Sequence, residues 1–262
     1  MKKIFLSIII IAGNEEKNIK NCLKSCTWAD EIILVAANST DNTVSVSKNT
    51  IPDIIIVETS DEYNKNFSKW RNLGYEKSTG EWIFYVDADE IVTEKLKNEI
   101  LSVTKNTSHS YYVVPRANHY LGKRVRYGGS YPDYVKRLYY RPKFKGYTGY
   151  LHEEPVITGS MGYLKFELEH YTHKDLYSML NKTITWTDME AKALFASQHP
   201  PVVWWRFLRM MLTKFWQRLI KQQMWRDGDV GWISVIFETY DTFIIYARLW
   251  ELQQNEQKSR NL

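Results

Sequence analysis

Cysteine is nearly absent: Cys22 and Cys26 are the only two in 262 residues. Four positions apart on a helix-like stretch, they share one helical face and read as small buried apolar side chains of a reducing compartment. A disulfide framework is excluded by the count, and the spacing fits no metal site. Long hydrophobic runs are missing too. The opening stretch MKKIFLSIIIIAGNEEKN holds a run of nine residues, Ile4 to Ala12, apolar except for Ser7, whereas a transmembrane helix needs about 20. Phosphate-cradling glycines are also lacking. No Gly-x-Gly-x-x-Gly follows the first apolar run and no Walker sequence occurs, which removes the dinucleotide and P-loop readings. Finally, no Asp or Glu falls between 201 and 226.

What is present describes a folded chain, 44% hydrophobic and 25% charged, with no disorder signature. The formal charge of +5 favours anionic partners in general; nucleic acid is not expected. Aromatic residues reach 15%, with ten Trp and eighteen Tyr. Such side chains suit a large core, or surfaces that are half apolar and half wet, as in sugar sites and membrane interfaces.

The opening run has the length of a signal-peptide core, roughly 7–15 residues. Its four consecutive isoleucines, Ile8 to Ile11, instead suit a strand covered on both faces. Asn14-Glu15-Glu16 follows as a helix cap with acids in the first turn. Three further apolar runs, EIILVAA at 31–37, DIIIVET at 53–59 and EWIFYVDADE at 81–90, are separated by helix-like stretches. Gly80 reads as the stop of the helix before the last of them. Strands alternating with helices predict an α/β fold, a mostly parallel sheet with helices on both faces. The opening run is then the first strand, and no signal peptide is expected. Ligands of such sheets bind beyond the carboxyl ends of the strands. Ala12–Glu15, Ala36–Asp41 and Asp87–Glu90 should therefore ring one crevice.

Asp87-Ala88-Asp89-Glu90 leaves the fourth strand with Asp87 and Asp89 on one side while the chain stays extended. Two hard carboxylates so placed suit a divalent cation, Mg²⁺ or Mn²⁺, that bridges to phosphate oxygens. The alternative is an acidic turn before a helix starting near Thr93. With SIIIIAGNEEKNI, NSTDNT, Arg71-Asn72 and GEWIFYVDADE in this order, the chain resembles the inverting family-2 glycosyltransferases of the GT-A (Rossmann-like) fold. The segments PRANHYLGKRVRYGGSYPDYVKRLYYR, HEEPVITG and LEHYTHKDL are similar to the branch that adds a hexose to the inner core of bacterial lipopolysaccharide, the β-1,4-glucosyltransferase type.

The resemblance implies that Asp87 and Asp89 face the diphosphate of a nucleotide sugar, a UDP-hexose, and its metal, Asp89 as the direct ligand. It places Glu15 and Asp41 near the nucleotide and Arg71 at the donor phosphates. Where the family has an Asp at the end of the second strand, this chain has Ala36. Inversion needs a base on the acceptor side that takes the hydroxyl proton. The resemblance puts Glu153 first, with Asp133 in reserve and Glu154 as a surface acid. Arg137 has two readings, a fork clamping diphosphate or a solvated side chain on an amphipathic strand. His170 is a candidate late metal ligand, against the reading of a structural histidine.

Beyond Pro200-Pro201, Trp204, Leu208, Met211, Phe215 and Leu219 recur at helical spacing, joined by Trp205, Leu212 and Trp216. Arg206, Lys214, Gln217, Arg218 and Lys221 form the other face. A helix lying in an anionic membrane interface is expected, with a buried packing helix as the alternative. The final segment, VGWISVIFETYDTFIIYARLWELQ, carries Glu238 and Asp241 near its middle, which disfavours a membrane span. It should pack on its predecessor or form an oligomer contact.

The expectation is therefore a catalytic domain over 1–174, divided into a nucleotide-sugar half (1–105) and an acceptor half (106–174), with a helical membrane-surface region over 175–262. The enzyme would act as a peripheral protein at the cytoplasmic face of the inner membrane, on a lipid-linked saccharide. An undecaprenyl-linked acceptor and a non-catalytic scaffold, the latter favoured by Ala36, are the alternatives.

Overall fold

The computed structural model describes residues 5–59, 66–106, 108–149 and 153–260. The chain forms two units, one of residues up to 117 with 133–170, the other of 118–132 with 171 onward.

In the first unit, β1 (Leu6–Ala12) is buried along its whole length. It pairs in parallel with β2 (Glu31–Ala37) and β4 (Trp82–Asp87), and β2 pairs in parallel with β3 (Ile55–Thr59). Strand alternation divides the isoleucines between two cores. Ile8 and Ile10 pack with Cys22 and Leu23 of α1 (Ile19–Cys26) and with Leu96 and Ile100 of α4 (Glu94–Val103). Ile9 and Ile11 pack with Trp70 of α3 (Phe67–Lys77) and with Tyr85 and Tyr139. Each fully buried isoleucine contributes about 1.5–3 kcal/mol, and a sheet covered on both faces makes β1 apolar except at Ser7, whose buried hydroxyl donates to Glu31. The two cysteines are free and buried, as read from their spacing.

Beyond β4 the sheet turns mixed. Its order is β3-β2-β1-β4-β8-β6-β12-β5, with β5 (Glu90–Val92), β6 (Tyr111–Tyr120), β8 (Asp133–Tyr140) and β12 (Leu168–His170). β8 runs antiparallel to β4 and to β6, and β12 antiparallel to β5. A separate antiparallel ribbon joins β9 (Phe144–Thr148) to β10 (Glu154–Ile157). The parallel character belongs mainly to the first four strands; beyond them only the short β11 (Met161–Tyr163) pairs in parallel, with β6, among the described residues.

Two local expectations shift. The first helix starts at Ile19, with Asn18 at its N-cap position but no capping side-chain hydrogen bond, and with no acid in its first turn. Asn14 adopts φ +57°, and its Oδ1 accepts from the backbone N–H of Thr40 (2.7 Å) and Asp41 (3.2 Å), so it ties the loop after β1 to the loop after β2. Gly80 is not the helix stop, since α3 ends at Lys77 with Ser78 as its cap. A Cβ on Gly80 would lie 2.6 Å from the backbone nitrogen of Ser7, so its role is to admit close passage beside β1.

The second unit holds α5 (Leu176–Ala196), α6 (Trp204–Trp216) and α7 (Asp229–Arg260), and α7 packs on both of the others. Asp175 and Ser178 form a reciprocal cap on α5. A π-helical turn (Gln217–Lys221) and a 3-10 turn (Met224–Asp227) carry the chain from α6 to α7. Residues 118–132, expected within the acceptor half, join these helices. The Asp227 carboxylate accepts from the N–H groups of Arg126 and Tyr127, and Arg218 donates to the Gly128 carbonyl.

The amphipathic reading of α6 is rotated. Met211, Phe215 and Leu219 turn inward, while Trp204, Leu208, Leu212, Trp216 and Ile220 face solvent. Arg218 pairs with Glu238, and Lys214 lies close enough to pull down the proton affinity of Glu238 and Asp241. Burial is the larger influence on both acids and leaves each raised. The acids of α7 are thus met by cations that the sequence pattern assigned to lipid. Among the described residues no helix is long and apolar enough to cross a membrane.

Candidate active site

The carboxyl end of β4 is enclosed by arginines from three elements. Arg71 comes from α3, which Asn66 caps by accepting from Lys69 N–H. Arg137 lies on β8 and Arg116 on β6. Both oxygens of Asp87 are engaged: Oδ1 by Arg137 Nη1 (3.2 Å) and Arg71 Nη2 (3.4 Å), Oδ2 by Arg137 Nη2. Burial pushes the Asp87 carboxyl up, but Arg137 and then Arg71 outweigh it and hold the group well below the carboxylate range. Arg137 is 4% exposed, so the solvated reading of this residue is set aside.

Glu90, with 0% exposure, was not singled out in the sequence and lies at the centre of the cluster. Its Oε2 accepts from the Asp87 backbone N–H (2.8 Å), and Oε1 accepts from Arg137 Nη2 (2.8 Å) with Arg116 Nη1 at 3.6 Å. Burial raises its proton affinity despite these cations.

Arg71 also reaches the acceptor side. Its Nε donates to Glu153 Oε1 at 2.7 Å, so one guanidinium joins Asp87 to the candidate base. Asn72, the second half of the Arg-Asn pair, exchanges two hydrogen bonds with Tyr147 of β9, 2.9 Å to its carbonyl and 2.7 Å from its N–H. The Tyr147 ring in turn lies 5.3 Å from the Arg71 guanidinium. Gly146, at φ +98°, permits this approach; a Cβ there would sit 2.5 Å from Asn72 Oδ1.

These groups line a cavity of about 380 Å³ that includes Arg71, Asp87, Arg116, Arg137, Glu153 and Glu154. Glu154 is exposed and paired with Lys136, as its surface reading required. Asp133 forms a two-bond pair with Arg116, at 2.9 and 2.7 Å, and is not among the lining residues. Two buried donors of this wall, Arg71 Nη1 and Arg137 Nε, have no hydrogen-bond partner among the described residues. Orphaned, buried guanidinium N–H groups on arginines that line a cavity suit an anion.

Asp89 takes a different partner from Asp87. Antiparallel pairing sets His170 of β12 opposite Glu90 of β5, and His170 Nε2 comes within 3.5 Å of Asp89 Oδ2. An oxygen and an imidazole nitrogen meet here, a donor pair that suits Mn²⁺ better than Mg²⁺. No group of three metal-ligating side chains gathers among the described residues, so the remaining positions of such an ion would fall to ligand oxygens and water.

The loops after β1 and β2, expected around the same crevice, contribute no residue to the lining of this cavity. Asp41 Oδ2 accepts from Glu16 N–H (3.0 Å), and Oδ1 from Thr43 N–H (2.9 Å). Burial would raise the Asp41 carboxyl, but the Thr43 hydroxyl and these amides prevail and lower it. Glu15 accepts from Asn18 Nδ2, and its own N–H donates to Thr43 Oγ1. Asp41 and Glu15 therefore serve first to build the loops. Ala36, at the end of β2, is buried and in register with the exposed Glu58 of β3. His152, in the predicted HEE step, lies outside the described residues.

The profile of glycosyl transferase family 2 matches residues 7–172, from β1 through the strand that carries His170. The chain belongs to glycosyl transferase family 2. It is 38% identical over 97 residues to the prophage-derived glycosyltransferase SunS of Bacillus subtilis, a match covering 37% of this chain and 22% of SunS. It is 28% identical over 95 residues to the lipopolysaccharide core biosynthesis glycosyltransferase LpsC of Rhizobium meliloti, covering 36% of this chain and 35% of LpsC. The chain thus spans about a third or less of the length of these two relatives. In structure it is similar to S. aureus TarS crystallised with UDP-GlcNAc, with a TM-score of 0.50 at 12% identity, over 97% of this chain and 92% of that one. At that identity the likeness carries the fold, and it agrees with the expected GT-A architecture.

Proposed function

We propose that this family-2 glycosyltransferase moves a hexose, with inversion, from a nucleotide diphosphate sugar to a lipid-linked saccharide at the cytoplasmic face of the inner membrane. The observation that carries the reading is the single cavity in which two orphaned guanidinium donors, on Arg71 and Arg137, stand beside Glu153. The donors would hold the leaving diphosphate and stabilise the charge it gains as the glycosidic bond breaks. Glu153 would take the proton of the attacking hydroxyl, its carboxylate held in place by the hydrogen bond from Arg71. Asp133, tied to Arg116 and off the cavity wall, becomes a positioning residue for that arginine in this scheme.

Asp89 and His170 would hold Mn²⁺ or Mg²⁺, with Asp87 governing the arginines rather than the ion. Such an ion supplies electrostatic stabilisation to the diphosphate. TarS, crystallised with UDP-GlcNAc, supports UDP as the nucleotide. LpsC, named for lipopolysaccharide core biosynthesis, supports an inner-core acceptor and, with the motif pattern, glucose as the sugar.

The test is thermal stabilisation by a panel of nucleotide sugars with and without Mn²⁺, followed by transfer assays on extracted lipid fractions. One UDP-hexose should stabilise the protein in a metal-dependent way, and Glu153→Gln should keep that stabilisation while losing transfer. Undiminished transfer by Glu153→Gln refutes the assigned base, and transfer only to undecaprenyl-linked lipid moves the acceptor.

A further inference from the structure

We propose that the C-terminal helical unit docks on a phospholipid surface by burying an apolar ladder along α6, with charge attraction in a minor role. Trp204, Leu208, Leu212, Trp216 and Ile220 recur every four residues and are 45–75% exposed. They follow one i, i+4 ridge about 24 Å long that spreads over about 160° of the helix circumference, its last member, Ile220, lying in the π-helical turn. No residue of α6 itself is buried. Single exposed apolar side chains are ordinary on a protein surface, but a continuous line of five marks a contact surface.

The chemistry of the line selects its occupant. Indole rings stand at Trp204 and Trp216 with leucines between, and indole favours the level of the lipid headgroups. Arg209, Lys221 and Arg226 are exposed in the same stretch, where no acid occurs between 201 and 226. The guanidinium of Arg209 lies 5.3 Å from the Trp205 ring, a cation held at the edge of the apolar line. A second copy seated on this ladder would bring two acid-free cationic faces together, whereas lipid phosphates answer the cations. Arg218 adds little to that attraction, because it is paired with Glu238 of α7 within the unit. Few cations remain for lipid, so insertion of Trp and Leu carries the affinity.

The inference stands apart from the transfer reaction, because partitioning is read without substrate. The full chain is mixed with phosphatidylcholine vesicles, alone and doped with phosphatidylglycerol, at low and high salt. Cosedimentation and the blue shift of Trp emission are recorded, with circular dichroism as the check on folding. Partitioning into neutral vesicles should persist at high salt. Leu208→Asn with Leu212→Asn should weaken it about a hundredfold, the loss expected for two leucines returned to water. Arg209→Gln should weaken binding to the doped vesicles only about fivefold. Three results would overturn the proposal: no partitioning of the wild-type chain, unchanged partitioning of the folded double variant, or a wild-type oligomer by light scattering that the double variant converts to monomer. The last would assign the ladder to self-association.

Discussion

Arg137→Met is the most informative single perturbation of the site. The substitution keeps an unbranched apolar stem but removes the guanidinium and with it the bonds to Asp87 and to Glu90. Asp87 retains Arg71 at 3.4 Å, while the fully buried Glu90 is left with Arg116 at 3.6 Å. Removing one member of a buried ion pair costs about 3–5 kcal/mol, chiefly because the other charge stays buried. At about 2–4 °C per kcal/mol for a domain of this size, the melting temperature should fall by about 6–20 °C. The loss has a pH signature. Glu90 already has a raised carboxyl, so it favours folding while protonated and opposes it as pH rises through its folded-state value. Without Arg137 that value rises further, and the variant should recover relative stability as pH falls from 8 toward 5. Glu90→Gln in the same chain should restore part of the loss, a coupling readable in a double-mutant cycle of melting temperatures. Binding of UDP, measured by calorimetry, should weaken by at least tenfold, since a charge-assisted hydrogen bond is worth about 1.5–3 kcal/mol. A melting temperature within 2 °C of wild type at every pH, with unchanged UDP binding, would falsify the picture of Arg137 as the buried hub.

Three other outcomes follow from the same geometry. Glu153→Gln should lower kcat about 10²–10⁴-fold with little change in donor KM, while Glu154→Gln should stay near wild type because its carboxylate pairs only at the surface; equal losses in both would break the assignment of the base. Asp89→Asn and His170→Ala should each raise the Mn²⁺ concentration needed for half-maximal donor stabilisation, without displacing the melting temperature of the metal-free protein by more than about 2 °C, and unaltered metal dependence in both would remove the ion from this position. Asp41 and Asp87 have lowered carboxyls, so their contribution to stability is present above about pH 4 and lost as pH falls below it; Asp41→Asn should flatten the acid limb of the stability curve, and a limb as steep as in wild type would show that the loop bonds to Asp41 do not count.

Much of the first unit was legible because parallel strands are written as continuous apolar runs. EIILVAA is β2 residue for residue, and Thr93 caps α4 by accepting from Leu96 N–H. Helix ends were harder. Asn14 looked like a cap, since Asn is favoured at both caps and left-handed turns, and only the position of Thr40 and Asp41 across the crevice decides for the turn. Gly80 looked like a stop for a similar reason, and its constraint comes from Ser7, 73 residues away. In α6, apolar and basic residues both follow helical spacing, and the choice of inner face depended on Glu238 and Asp241 arriving from another helix.

The amino-acid order alone determined the class of fold, the succession of strands and helices, and the place along the chain where chemistry should occur. These depend on periodicity and local propensity, which act over a few residues. Only the tertiary structure decided that Asp87 belongs to two arginines and Asp89 to His170, that Glu90 anchors both Arg137 and the Asp87 backbone, and that Arg71 links the candidate base to Asp87. Each of those contacts joins residues that strand pairing or helix packing brings together, and the energy that selects them arises from burying charge beside charge, which no local pattern encodes.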